Sequence, residues 1–122
     1  MKKFLVLIFC ILSFQVSAME KKTTFDKDLF KKAQDDGKVV VVSSWIKYCY
    51  SCAGQMKILQ NAEKDFDNIK YFSFDVTNKE ISNIFKVEYQ TTLLIFKNNE
   101  EIYRSIGETS KEEIYKAIES SI

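Results

Sequence analysis

The chain has 122 residues, of which 46% are hydrophobic and 14% aromatic, so it can form one domain with a packed core. Its 18 basic and 17 acidic residues form no basic stripe, which argues against nucleic acid as a partner. The chain contains no histidine, and this excludes Ser-His catalysis, Cys-His catalysis and histidine-ligated metals.

The N-terminus has the pattern of a secretory signal peptide. Two lysines precede an apolar run over residues 4–14, and a Val-Ser-Ala triplet ends at Ala18. The run is shorter than the ~20 residues of a transmembrane helix. The sequence therefore predicts a signal peptide at 1–18, a single mature domain at 19–122 and a periplasmic location. An uncleaved membrane anchor is the alternative.

The mature part opens on a polar segment, residues 20–24, that we expect to be mobile. A first helix is predicted from Asp26 to Gln34, with Thr24 as the N-cap and Gly37 as the stop. The residues expected on its core face are Phe25, Leu29, Phe30 and Ala33. The β-branched run that follows predicts a strand buried on both faces.

This strand leads to the sequence Cys-Tyr-Ser-Cys, which contains Cys49 and Cys52. A helix is predicted over residues 55–66, because the mostly apolar positions from Met56 to Phe66 repeat every three to four residues. The cysteines therefore lie where a buried strand passes into a helix N-terminus, whose free N–H groups and dipole stabilise an anion. A thiol in that position ionises more readily than a free cysteine.

Three interpretations of the cysteine pair are open. Signal-peptide cleavage would also remove Cys10, leaving Cys49 and Cys52 as the remaining thiols. They could form a structural disulfide, although so small a loop removes little unfolded-state entropy. Two chains together could bind zinc or an iron–sulfur cluster, which one chain lacks the ligands to do. We favour a reversible dithiol–disulfide pair without a metal or other cofactor.

The rest of the chain alternates strands and helices. Its predicted strands cover residues 70–76, 92–97 and 101–106. The last two form a hairpin across Asn98-Asn99, because asparagine tolerates positive φ. A short helix begins at Thr77 or Asn78, and a capping box at Ser110 opens the final helix.

With this order of elements, the chain resembles the thioredoxin family. The resemblance covers nearly all of the mature part and rests on Trp45, Cys49-Tyr50-Ser51-Cys52, Thr92-Leu93-Leu94-Ile95-Phe96-Lys97-Asn98 and Gly107. It implies a thioredoxin-like α/β fold, with a central mixed sheet of four to five strands and helices on both faces. The implied strand order is 69–76, 38–45, 92–97, 101–106, with the first two strands parallel and the hairpin antiparallel.

The resemblance also implies roles for individual residues. Cys49 matches the exposed attacking cysteine, Cys52 the resolving cysteine, and Trp45 the indole that packs beneath them. Tyr50 and Ser51 would help to set the redox potential. The substrate would contact Gln90, Thr91 and Gly107.

Three positions depart from the family's pattern. The buried acid that helps to move the resolving thiol's proton falls on Ser43, the lysine that often follows the second cysteine falls on Ala53, and the cis-proline falls on Thr91. A cis bond before a residue other than proline costs ~3–4 kcal/mol. We therefore predict a trans Gln90–Thr91 bond and a locally re-routed loop. The N–H and hydroxyl of Thr91 would then face the attacking cysteine.

The resemblance implies a thiol–disulfide oxidoreductase that acts on client proteins containing disulfides or thiols, and the predicted signal peptide makes it an exported one. A reductase supplied by a membrane-bound electron donor is favoured, because the compartment is oxidising. A disulfide oxidase or isomerase is the alternative within this class. A binding module with the same fold and little turnover is the alternative outside it, motivated by Ser43 and Thr91. We expect a monomer.

Overall fold

The computed structural model describes residues 21–122, so the predicted signal peptide at 1–18 lies outside the described residues. The described chain alternates helices and strands: α1 Lys27–Asp35, β1 Val39–Trp45, α2 Tyr50–Asp65, β2 Ile69–Asp75, α3 Lys79–Phe85, β3 Thr92–Lys97, β4 Glu100–Ile106 and α4 Lys111–Glu119. Over this range, no helix combines the length and apolar character needed to cross a membrane.

The four strands described form one mixed sheet in the order β2-β1-β3-β4. β1 is parallel to β2 and antiparallel to β3, and β3 and β4 form the antiparallel hairpin. At the centre of the sheet, Val42 lies opposite Phe72 of β2 on one side and Leu94 of β3 on the other. The predicted strand order and directions are confirmed.

Helices cover both faces of the sheet, and β1 is buried along its whole length. On one face, Val40 and Val42 pack with residues of α1 and α3, including Ala33 and Phe85. The other face packs against α2 and α4, through clusters that include Val39, Val41, Leu59, Ala62, Ile114 and Ile118. Burial on both faces explains why β1 is an unbroken apolar run before it turns polar at Ser43.

Helix α1 differs from its prediction at two residues. Its N-cap is Asp26, whose Oδ1 accepts the N–H groups of Asp28 and Leu29, both at 2.9 Å. Thr24 does not cap the helix, because its hydroxyl accepts the N–H of Ser73 instead. Leu29 is 52% exposed rather than facing the core. The buried face of the helix includes Gln34. Each helix residue is rotated by about 100° from the one before it, so Leu29, five residues before Gln34, lies on a different side of the helix and faces solvent.

Helix α2 begins at Tyr50, about one turn before its predicted start, and Cys49 is its N-cap. The exposed Tyr50 and Ser51 and the small Gly54 hid this first turn from the apolar periodicity. The N-cap of α3 is Asn78, which is the second of the two starts predicted for this helix. The other predicted caps and turns are as expected, with positive φ at Asn98 and Asn99 and a Ser110 cap on α4.

The N-terminal segment, residues 21–25, lies along the outer edge of β2. The N–H of Thr24 donates to the Ser73 carbonyl at 2.8 Å, and the N–H of Asp75 donates to the hydroxyl of Thr23 at 3.2 Å. The Ser73 hydroxyl donates to the Lys22 carbonyl at 2.8 Å. The prediction of a mobile segment is therefore wrong over residues 21–24, because the β2 edge supplies partners for its backbone.

Candidate active site

Cys49 and Cys52 are joined by a disulfide at the start of α2. Cys52 is fully buried, whereas Cys49 is partly exposed at the N-cap. The N–H of Cys52 donates to Cys49 Sγ at 3.2 Å. An N–H group of the first helical turn, which has no acceptor within the helix itself, therefore donates to the more accessible sulfur, and this arrangement stabilises a thiolate.

Thr91 places its side chain against the disulfide. Its hydroxyl oxygen lies 3.1 Å from Cys52 Sγ and 3.6 Å from Cys49 Sγ, and the residue is only 3% exposed. All peptide bonds are trans within the described part of the chain, so the trans Gln90–Thr91 bond is as predicted. The re-routed loop appears as a left-handed φ of 58° at Thr91, and β3 begins directly after it.

One part of the Thr91 prediction is wrong. Its N–H does not face the cysteines, because it donates to the Ser44 carbonyl of β1 at 2.9 Å. The bond to β1 occupies the N–H, and this leaves the hydroxyl as the group that faces the sulfurs. The hydroxyl is also closer to Cys52 than to Cys49, so its main contact is with the buried sulfur.

Ser51 completes a small hydroxyl cluster around the disulfide. Its Oγ lies 3.0 Å from Thr91 Oγ1 and 3.3 Å from Cys49 Sγ, and the residue is exposed. Tyr50 is 95% exposed. Of the two residues between the cysteines, Ser51 is therefore the one that contacts the redox atoms.

Gln55 is a functional residue that the sequence analysis missed. It lies one helical turn after Cys52 and is fully buried. Its Nε2 donates to the carbonyls of Thr91 at 3.3 Å and Glu108 at 2.8 Å. Its Oε1 is buried without a partner among residues 21–122. A glutamine beside the apolar positions of α2 was the available signal.

The Thr91 loop is held from three directions. Besides Gln55, the N–H of Gly107 donates to the Thr91 carbonyl at 2.9 Å, so two of the three predicted substrate contacts, Thr91 and Gly107, lie side by side. Ser44, which the sequence analysis also missed, accepts the N–H of Thr92 at 3.0 Å through its hydroxyl. Gln90, the third predicted substrate contact, is exposed at the surface.

Trp45 ends β1 and lies under the active site. It is 8% exposed and packs in a cluster with Cys52, Met56 and the partly exposed Cys49. Its indole Nε1 is buried and has no hydrogen-bond partner within the described chain. The indole therefore supports the disulfide by packing, and it is also part of the core.

At the position of the family's buried acid, Ser43 is fully buried and its Oγ lies 2.7 Å from the Tyr71 hydroxyl. Burial raises the pKa of Tyr71 more than its hydrogen bonds with Ser43 and Ser73 lower it. Tyr71 therefore keeps its proton at neutral pH and cannot act as a base there. The pair is a satisfied polar contact in the core rather than a proton acceptor.

Lys21 brings a positive charge to the start of α2. Its Nζ donates to the carbonyls of Ile46 at 3.0 Å and Cys49 at 2.9 Å. No local motif indicated this contact, because Lys21 and Cys49 are far apart in the sequence. The ammonium adds to the positive potential that the helix N-terminus already provides beside Cys49.

Comparison with known proteins identifies the family. The Thioredoxin family model matches residues 16–120. Thioredoxin H-type of Fagopyrum esculentum is 28% identical over 88 residues, which cover 71% of this chain and 76% of that protein. Thioredoxin Y, chloroplastic, of Oryza sativa subsp. japonica is 30% identical over 106 residues, covering 84% of this chain and 61% of that protein.

Solved structures agree with this assignment. The crystal structure of Trxlp from Edwardsiella tarda EIB202 matches with a TM-score of 0.69 and 28% identity, over 76% of this chain and 93% of that one. The predicted fold and enzyme class are therefore confirmed. The chain belongs to the thioredoxin family and is a disulfide oxidoreductase with a redox-active cysteine pair, Cys49 and Cys52.

Proposed function

We propose that this protein is an exported reductase of protein disulfides, in which Cys49 attacks the client and Cys52 resolves the mixed disulfide. The observation that carries these roles is the difference in exposure between the two sulfurs. Cys49 is partly exposed at the N-cap of α2, whereas Cys52 is fully buried. A client disulfide can therefore approach Cys49, and Cys52 can be reached only from Cys49.

The reaction is a dithiol–disulfide exchange in two steps. The Cys49 thiolate attacks a client disulfide and forms a mixed disulfide, while one client sulfur leaves as a thiolate. Cys52 then attacks Cys49 Sγ, which releases the second client sulfur and forms the internal disulfide. Two electrons pass to the client. A membrane-bound electron donor must return two electrons to the protein before the next cycle.

Exposed side chains near Cys49 support a protein client. Tyr48 is 86% exposed, Tyr50 95% and Tyr89 57%, and each offers a large amphipathic contact surface. Gln90 is exposed next to Thr91, and in the proposed complex its backbone would pair with an extended client segment. A client chain would thus contact residues on both sides of the disulfide.

A binding module with little turnover is the second candidate. It is favoured by the Ser43–Tyr71 pair, which provides no carboxylate where the family has one. An insulin-reduction assay, together with the measured redox potential, separates the candidates. A reductase turns over insulin and has a low potential, an oxidase or isomerase has a higher potential, and a binding module shows little turnover.

The roles of the cysteines are tested by trapping. Cys52→Ser should accumulate mixed disulfides with client proteins, because the attacking thiol remains and the resolving thiol is absent. Cys49→Ser is the matched control and should accumulate none. Equal alkylation rates for the two thiols of the reduced protein at neutral pH would contradict the assignment.

Export is supported by the sequence pattern at residues 1–18. We expect cleavage after Ala18 and a mature protein that begins at Met19. Intact-mass measurement on the periplasmic fraction tests this. Full-length protein found only in membranes would instead support the uncleaved anchor.

A further inference from the structure

We propose that the hydroxyls of Thr91 and Ser51 form the proton path of the buried cysteine, and that they carry the Cys52 proton to solvent where the family uses a buried acid. This inference rests on the proposed function, because it concerns the step in which Cys52 resolves the mixed disulfide. It makes Thr91 a catalytic residue, since its hydroxyl contacts a reacting sulfur.

The distances describe a continuous path from the core to the surface. Cys52 is fully buried and its sulfur lies 3.1 Å from Thr91 Oγ1. Thr91 is 3% exposed, and its Oγ1 lies 3.0 Å from Ser51 Oγ. Ser51 is exposed, so its hydroxyl can exchange a proton with water. Two contacts of hydrogen-bond length therefore connect the buried sulfur to solvent.

Counting protons gives the path a direction. Disulfide sulfurs carry no proton and can only accept hydrogen bonds. Thr91 has one hydroxyl proton, and donating it to the nearer sulfur, Cys52 Sγ, leaves its oxygen free to accept from Ser51. The oxidised protein thus favours donation from Ser51 to Thr91 to Cys52. After reduction, the Cys52 thiol becomes a donor and the same chain can run outward.

Among residues 21–122, the other polar groups around the site are bonded elsewhere or, like the amide oxygen of Gln55, have no proton to pass on. Ser43 Oγ is paired with Tyr71, whose pKa is raised by burial, and the Trp45 Nε1 is a donor without acceptor capacity. Gln55 Nε2 is bonded to two carbonyls. Lys21 bonds to carbonyls at the start of α2. Within residues 21–122, no carboxylate forms a hydrogen bond to either sulfur.

The resolving step then balances as follows. The Cys52 thiol proton passes to Thr91 Oγ1 while the Thr91 hydroxyl proton passes to Ser51 Oγ, and the Ser51 proton passes to water. The Cys52 thiolate attacks Cys49 Sγ and forms the internal disulfide. The bond between Cys49 and the client sulfur breaks. The client thiolate leaves with the electron pair and takes a proton from water.

The test uses the reduced full-length protein and dithiobis(nitrobenzoate), which is a small aromatic disulfide. Its two halves are released one after the other, each as a coloured thiolate. Release of the first half reports the attack by Cys49, and release of the second reports resolution by Cys52. The ratio of the second rate to the first isolates the proton path. Failure of the first release in the unsubstituted protein would refute the proposed function. The ratio measured in the variants tests the proton path alone.

Thr91→Val is the main variant, because valine keeps the β-branched shape and lacks the hydroxyl. At neutral pH it should lower the ratio by at least about tenfold, in line with the effect of a removed proton-transfer group. Thr91→Ser keeps the hydroxyl and should restore the ratio. The deficit of Thr91→Val should shrink at high pH, where hydroxide removes the proton directly. An unchanged ratio in Thr91→Val would overturn the proposal.

Ser51→Ala provides a second measurement that does not depend on a buried substitution. In the unsubstituted protein, the rate of the second release should be lower in deuterated water. A plot of this rate against the deuterium fraction of the solvent should be curved, because several protons move together. Ser51→Ala should reduce that curvature and the ratio. A linear dependence, or a ratio that Ser51→Ala leaves unchanged, would also overturn the proposed path.

Discussion

Gln55 holds together two loops that meet at the active site, and its replacement by glutamate tests this arrangement. Its Nε2 donates to the carbonyls of Thr91 and Glu108, whereas its Oε1 is buried without a partner in the described chain. Gln55→Glu keeps the shape of the side chain and replaces the donor by an oxygen. Two carbonyls would then face a carboxylate in the core.

The expected cost follows from these contacts. Two lost hydrogen bonds account for about 1–3 kcal/mol of unfolding free energy. The new buried charge adds to this, and a charge left buried without a partner costs about 3–5 kcal/mol. We therefore expect Gln55→Glu to destabilise the oxidised protein by about 3–5 kcal/mol at pH 7.

The penalty should depend on pH with a definite sign. Burial raises the pKa of the new carboxyl in the folded state above the value of ~4.3 in the unfolded chain. The part of the penalty that comes from the charge is therefore small below the unfolded pKa and grows as the pH rises towards the folded pKa. For a folded acid that stays neutral up to pH 7, this part falls by about 2.6 kcal/mol between pH 7 and pH 5.

Urea unfolding of Gln55→Glu and of the matched control Gln55→Met at pH 5 and pH 7 makes the measurement. The methionine variant loses the same two hydrogen bonds, which lowers the free energy of unfolding by about 1–3 kcal/mol. It also removes the unpaired Oε1, which raises the free energy of unfolding by about 1–3 kcal/mol, so the two effects nearly cancel. Its stability should change little and should not depend on pH. Equal stability of the two variants at pH 7, or a glutamate penalty independent of pH, would refute the geometry.

The remaining predictions concern other contacts of the site. Thr91→Pro should destabilise the protein by about 3 kcal/mol in urea unfolding, because proline cannot adopt the positive φ and lacks the N–H that bonds to β1. Lys21→Met should slow alkylation of Cys49 in the reduced protein about two- to threefold at neutral pH, because it removes a partly exposed charge; an unchanged rate would show that the charge is screened. Tyr71→Phe should cost about 1–3 kcal/mol by leaving the Ser43 hydroxyl unpaired, and adding Ser43→Ala should recover most of that loss in thermal unfolding.

The strands and the position of the cysteine pair were predictable because their signals are local, whereas the order of the strands in the sheet came from the family resemblance. The valine run of β1 and the alternation in β4 each indicate a strand. The spacing of Cys49 and Cys52 at a helix start favours a redox pair, and the other motifs of the family support that interpretation. Helix starts were less accurate. The polar first turn of α2 conceals the apolar period. The predicted cap Thr24 bonds to β2 instead, and Asp26 caps α1.

The surroundings of the disulfide could not be predicted in the same way, because they form where distant segments meet. Gln55 donates to carbonyls more than thirty residues away, and the Thr91 N–H bonds to Ser44 rather than facing Cys49. Both outcomes depend on the backbone path of the loop before β3. A sequence pattern specifies which residues are polar, but it does not specify which of their atoms face the site.

The contact between Lys21 and the Cys49 carbonyl also limits how far the active site can lie from whatever precedes it in the chain. Residues 19 and 20 alone separate Lys21 from the predicted cleavage point, and extended chain covers at most about 3.6 Å per residue. A retained leader would add residues 15–18 between its apolar run and this point, and it would therefore hold Lys21, which contacts Cys49, within about 25 Å of the bilayer. That distance suits a donor embedded in the membrane and obstructs a bulky folded client, so removal of the leader would decide which partners can reach the disulfide.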